Sequence, residues 1–215
     1  PDIIGLSGGI DSAVVAALVY KAVGPERLQL FNLPSKYNSE ATISVASYVA
    51  KKLGVKLDTI PIESLVSKNY SSLEQYSPSD FNMENIQAKI RGTSILSNIA
   101  GIRSGVMTCN GNKVEIALGY ATLYGDVNGV VAPIGDLLKT EVFALADYLN
   151  KEIFADEVIP HQILPDDKYN FRIPPSAELK AAQKDPMKWG YHDALIRVFT
   201  EYRRINQPFS FALKA

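Results

Sequence analysis

The chain has a single cysteine, Cys109, so no disulfide can form within it, and a reducing, cytoplasmic setting is expected. Its two histidines, His161 and His192, lie far apart and have no cysteine partners, which argues against a zinc centre. No apolar run reaches the length of a membrane span, and no signal peptide is visible. Neither sign of charge dominates: a net charge of -1 removes any general pull toward nucleic acid or membrane surfaces. Neither a Gly-x4-Gly-Lys-Ser/Thr loop nor a Gly-x-Gly-x-x-Gly turn after a strand occurs. The first residue is Pro1, directly before the first expected strand, which suggests a piece of a longer protein.

What is present reads as one globular domain of 215 residues with a full core. Apolar runs at 3–6, 28–33, 56–62, 105–108 and 129–133 suggest five strands. Helical spacing follows Ser39 and is closed by Gly54; it returns over 84–103 and again over 136–150, where Asp136 is the expected N-cap. Residues 63–83 are polar and carry no clear period. Alternating elements predict an α/β fold, with a doubly wound, Rossmann-like, five-stranded parallel sheet. Residues 1–150 form the expected nucleotide-binding core, and 151–215, rich in proline and aromatics, a lid segment on the same domain.

The most telling stretch is Ser7-Gly8-Gly9-Ile10-Asp11-Ser12, between an apolar run and a helical one. A strand, a glycine turn and a helix start aim free N–H groups and the positive helix end at one point, which suits an anion. Gly8 and Gly9 allow close backbone approach, and Ser7 and Ser12 add hydroxyls. Asp11 would repel a phosphate unless a divalent cation lies between them, so the loop predicts a magnesium nucleotide. The run resembles the S-G-G-x-D-S loop of the ATP pyrophosphatases, which cleave ATP between its α- and β-phosphates.

Further blocks occur in order: 84–91 (ENIQAKIR), 110–115 (NGNKVE), 119–126 (GYATLYGD), 133–140 (PIGDLLKT) and 175–179 (PSAEL). Together with the loop they resemble the synthetase domain of the NAD synthetase family. That resemblance implies a ligase in which ATP adenylates the carboxylate of deamido-NAD and ammonia then displaces AMP. It implies Asp11 and Glu115 as magnesium ligands. Ser7, Gly8, Gly9, Asp11, Ser12, Lys139 and Ser176 would serve ATP, with Asp11 and Lys139 catalytic. Asn85, Lys89, Arg91 and Asp126 would serve deamido-NAD. It also implies a homodimer and, for a glutamine-dependent parent, an upstream domain that releases ammonia.

Some positions depart from the family pattern. Lys89 stands where arginine is more frequent and lacks its bidentate fork. The stretch from Gln183 to Asp185 is shorter than the expected acidic loop, and Arg203-Arg204 is a weak match to a basic pair that reaches phosphate. Trp189, Tyr191 and His192 read as packing residues, and Cys109 as a buried thiol. Two other readings remain at this stage. One is a different ATP pyrophosphatase, GMP-synthetase-like or tRNA-thiolating; the other is a module that senses nucleotide without turnover.

Overall fold

The structure, a computed structural model, describes residues 1–166 and 169–204. Four parallel strands, β1 (Asp2–Gly5), β2 (Leu28–Asn32), β3 (Leu57–Thr59) and β4 (Val106–Met107), form a sheet in the order β3-β2-β1-β4. The fifth expected strand is reduced to one parallel bridge between Thr108 and Val131. There Cys109 N donates to Val131 O at 2.8 Å, and Val130 N to Met107 O at 2.8 Å.

The strand period of two sorts the core into two layers. Ile4 and Leu30 point to one face, against α1 (Ile10–Val23), α2 (Glu40–Leu53) and α7 (Lys139–Tyr148). Ile3, Phe31 and Met107 point to the other, against Ile90, Ile95, Leu96 and Ala100. Helices on both faces make the sheet doubly wound, as expected. α1 is the central helix, with Ala13 to Ala17 all fully buried, so it needs no polar face.

The long helix expected over 84–103 is three pieces in line. α4 (Asp80–Lys89) runs into a π-helical stretch, Ile90–Ser97, which runs into α5 (Asn98–Ile102). The wide turn coincides with Gly92, whose backbone meets that of Gly125 so closely that an added Cβ would lie 1.9 Å from Gly125 O. The polar stretch before it contains α3 (Glu63–Leu73), whose one buried residue is Val66, hence its weak sequence signal.

After β4 come α6 (Lys113–Leu118) and α7, and near the end of the described residues α8 (Tyr191–Arg204). Asp136 does not cap α7. It pairs with Lys113 at 3.3 Å, and the helix begins three residues later at Lys139. Two acids serve its N-terminus: Glu141, in its own first turn, accepts from Leu138 N at 2.8 Å, and Asp193 of α8 accepts from Thr140 N through Oδ2 at 2.6 Å. Among the described residues, no helix is long and apolar enough to cross a membrane.

Candidate active site

Strand order reverses between β1 and β4, since β1 leads to β2 on one side and β4 lies on the other. Crevices at such a reversal, beyond the carboxyl ends of the strands, are where parallel sheets bind ligands. A cleft of about 360 Å³ opens there, touched by Ser7, Asp11, Asn110, Glu115 and Lys139. Asn110 Nδ2 donates to Gly5 O at 2.9 Å and ties the two strand ends together across the crevice.

The glycine loop follows β1. Gly9 is the N-cap of α1, and no side chain caps it. Ser7 Oγ lies 3.1 Å from Ser12 Oγ and accepts from Gly9 N at 3.2 Å, so the two hydroxyls hold the loop's shape. Gly8 is shaped by a contact behind the loop. Its φ is +94°, and an added Cβ would lie 2.0 Å from Thr42 O, so this glycine admits the backbone of α2 and does not face the cleft.

The three charged residues picked from sequence converge. Lys139 is the first residue of α7, is 1 % exposed, and donates to Asp11 Oδ2 and, at 3.4 Å, to Glu115 Oε1. A residue missed in sequence holds the acids in register. Asn112, fully buried, donates from Nδ2 to Asp11 Oδ1 at 3.1 Å. Its Oδ1 caps α6 by accepting from Val114 N and Glu115 N, and Glu115 Oε2 accepts from Asn112 N at 3.3 Å. The Asn-x-x-Glu spacing of this capping box was readable in the sequence.

One ammonium cannot neutralise two carboxylates. Burial by itself lowers the Lys139 pKa, but Asp11 and Glu115 outweigh it and hold the lysine charged. Glu115 is pushed up to about 7, first by burial and then by the Asp11 carboxylate, against the weaker pull of Lys139. Asp185, also unforeseen, is a third acid within electrostatic reach of Lys139 and Asp11; burial raises it, and its Oδ1 is buried without a hydrogen-bond partner. Among the described residues, no group of three or more metal-binding side chains forms a cage. Two carboxylates at the wall of the cleft do suit magnesium, which commonly takes one or two acids and completes its shell with substrate oxygens and water.

The other end of the cleft is built from α4 and its π turn. Arg91 is half-buried, donating from Nε to Leu33 O at 2.9 Å and from Nη2 to Asn38 Oδ1 at 3.4 Å; desolvation lowers its pKa to about 10. Asn85 Oδ1 accepts from Thr122 Oγ1 at 2.7 Å, and Asp126 Oδ1 accepts from Thr122 N at 2.9 Å. All three line the cleft, whereas Lys89 is exposed on α4 and does not. Cys109 is buried, as expected, and its thiol donates to Asp126 O at 3.4 Å.

A strap, residues 175–185, crosses above these elements without helix or strand. Ser176 lines the cleft, but no helix follows for it to cap; its hydroxyl accepts from Glu178 N at 3.1 Å and donates to Gln183 O at 2.8 Å. Gln87, buried in α4, donates to Leu179 O at 2.7 Å, and Glu84 accepts from Lys180 at 2.9 Å and Gln183 at 3.1 Å. Trp189 packs edge-on against Phe143 and lies under the Lys139 ammonium, 5.2 Å from ring centre to nitrogen. The Arg203 and Arg204 side chains and residues 205–208 lie outside the described residues.

This arrangement has relatives. A protein of Synechocystis sp. named glutamine-dependent NAD(+) synthetase is 41% identical over 196 residues, covering 90% of this chain and 33% of its own length. The chain thus spans about a third of the curated relatives it matches. The glutamine-dependent NAD+ synthetase of Acinetobacter baumannii, solved with ADP, superposes with a TM-score of 0.73 at 30% identity, over 99% of this chain and 38% of that one. NMN synthetase from Francisella tularensis gives 0.74 at 28% identity, over 99% of this chain and 80% of that one. The family model described as NAD synthase matches residues 2–208, and with the loop, the switch-point cleft and these relatives in agreement, the chain belongs to the NAD synthase family.

Proposed function

We propose that this domain catalyses ATP-dependent amidation of deamido-NAD to NAD, with AMP and pyrophosphate as the other products. The observation that carries the reading is the meeting of Asp11, Glu115 and Lys139 beside the uncapped start of α1. The reaction gathers anions: a triphosphate, an acceptor carboxylate and a departing diphosphate. It therefore needs fixed cations and dipoles more than a protein nucleophile.

In this reading the Ser7–Ser12 loop and the N-terminus of α1 receive the ATP phosphates. Lys139 turns from the acids toward the departing pyrophosphate, and Asp11 and Glu115 hold magnesium, which would neutralise phosphate charge. Arg91, Asn85 and Asp126 bind and orient the dinucleotide so that its carboxylate oxygen meets the α-phosphorus. The carboxylate oxygen bonds to that phosphorus and pyrophosphate leaves. Ammonia then bonds to the acyl carbon, AMP leaves, and the nitrogen sheds a proton. Ser176, on the strap, closes over the phosphates.

The nitrogen nucleophile is ammonia. The name glutamine-dependent belongs to relatives about three times as long, and supply from an upstream amidotransferase domain is proposed on that basis. A homodimer in the cytoplasm is the proposed working form, with exposed Phe81, Leu123, Tyr124 and Val130 as the face a second copy covers. The test is pyrophosphate release with ATP and magnesium, with and without deamido-NAD and ammonium. Release that needs deamido-NAD, and NAD that needs ammonium, support the reading; release only with another acceptor sinks it. Sedimentation of a fully active monomer removes the dimer.

A further inference from the structure

Ser176 and Asp185 face the cleft, whereas Glu178, between them on the strap, does not line it. Glu178 has φ of +48°, a left-handed conformation unfavourable for a residue with a Cβ. What holds it there is its carboxylate. Oε2 accepts from Asn38 Nδ2 at 2.9 Å and from Thr42 Oγ1 at 2.7 Å, and Oε1 accepts from Ser39 N at 3.4 Å. Ser39 is the N-cap of α2, so the acid also sits at a positive helix end. One oxygen faces the Asn38 amide N–H and the other the Ser39 backbone N–H, so an amide in place of the acid would turn its own N–H toward another N–H in either orientation.

The contacts of this acid reach both halves of the cleft. Thr42, which donates to it, presents its carbonyl oxygen to Gly8 of the phosphate-type loop. Asn38, held by it through Nδ2, turns Oδ1 toward Arg91 Nη2 at 3.4 Å and Ser35 N at 2.8 Å.

We propose that Glu178 is a positioning residue, a pin that fastens the strap to the start of α2 and keeps Ser176 and Asp185 over the reacting groups. Its kinetic consequence rests on the amidation reading. With the strap in place, ammonia attacks the acyl carbon, the bond from that carbon to the AMP oxygen breaks, and AMP leaves. With the strap loose, a water oxygen attacks the same carbon and the same bond breaks. AMP leaves, a proton passes to solvent, and deamido-NAD returns with ATP consumed and no amide made.

The experiment uses the full chain with Glu178→Gln, Glu178→Ala and Thr42→Val, the last removing one donor from the opposite side. In the ligand-free protein, protease cleavage or hydrogen exchange at 175–185 should speed up by about tenfold or more, with protection of α1 unchanged. In turnover at saturating substrates, AMP formed per NAD formed should rise several-fold in Glu178→Gln, and Glu178→Asp should recover part of the coupling. An unchanged strap in all three variants overturns the pin, whatever the turnover. A loosened strap with the wild-type ratio of AMP to NAD overturns its positioning role. If the wild-type chain makes no amide while the strap still loosens, the amidation reading fails and the pin stands.

Discussion

The Lys139 ammonium lies 3.4 Å from Glu115 Oε1 while donating to Asp11, so one buried cation serves two acids brought from the starts of different helices. Removing it should cost the reaction more than it costs recognition of substrate. Lys139→Ala is expected to slow pyrophosphate release by about 10²–10³, the usual effect of losing one preorganised charge donor. Single-turnover measurement at saturating ATP and magnesium checks it; a loss confined to KM would contradict the role.

The same cluster gives the ligand-free protein a pH dependence. Burial and Asp11 raise Glu115 from 4.5 to about 7, so the folded chain binds this proton more tightly than the unfolded chain does. Its contribution to stability is therefore full below the unfolded value and is lost as pH rises through about 7. Thermal midpoints taken from pH 5 to pH 8 should show a decline that Glu115→Gln removes.

Three glycine substitutions should separate close approach from mere flexibility. An alanine Cβ at Gly8 would lie 2.0 Å from Thr42 O, and at Gly92 1.9 Å from Gly125 O, so both should destabilise by about 1–3 kcal/mol or more. Gly101, in α5, has nothing within 4 Å of its added Cβ, and alanine there should stabilise by about 0.5–1 kcal/mol. Chemical denaturation of the three variants side by side is the measurement.

Asp193→Ala should reach the site from a distance. The acid accepts from Thr140 N at 2.6 Å, beside Lys139, so its loss leaves that N–H at the start of α7 without its partner, at a cost of about 1–2 kcal/mol, with only the Glu141 contact to Leu138 N remaining. A lower melting temperature together with a raised KM for ATP is expected. A change in stability alone would show that the start of α7 keeps its place without the cap.

The sequence carries the fold where periodicity is strong and local. Ser39 and Gly54 bracket α2 as expected, because a hydroxyl cap and a left-handed glycine are short-range devices. Asp11, Glu115 and Lys139 were recognisable as candidates, but their meeting depends on the order of strands, which no local pattern states. α3 was hidden because it buries a single residue, Val66, and the π turn because its cause, the contact of Gly92 with Gly125, lies 33 positions along the chain. Asp193 took the place expected of Asp136 because an acid from α8 reaches the same helix end. Lys89 sits in the same block as Asn85 and Arg91, yet α4 turns it outward, away from the cleft that those two line.

A buried ammonium with more acids than it can satisfy is a poor foundation for a durable fold. Apolar side chains of similar volume at positions 11, 115 and 139 are the sort of replacement that can leave a protein as firm as before, or firmer. Heat tolerance and turnover thus pull these sites in opposite directions. A library screened for thermal endurance alone should shed its acids at the mouth of the crevice early, whereas one screened for product should keep them and accumulate its strengthening changes elsewhere.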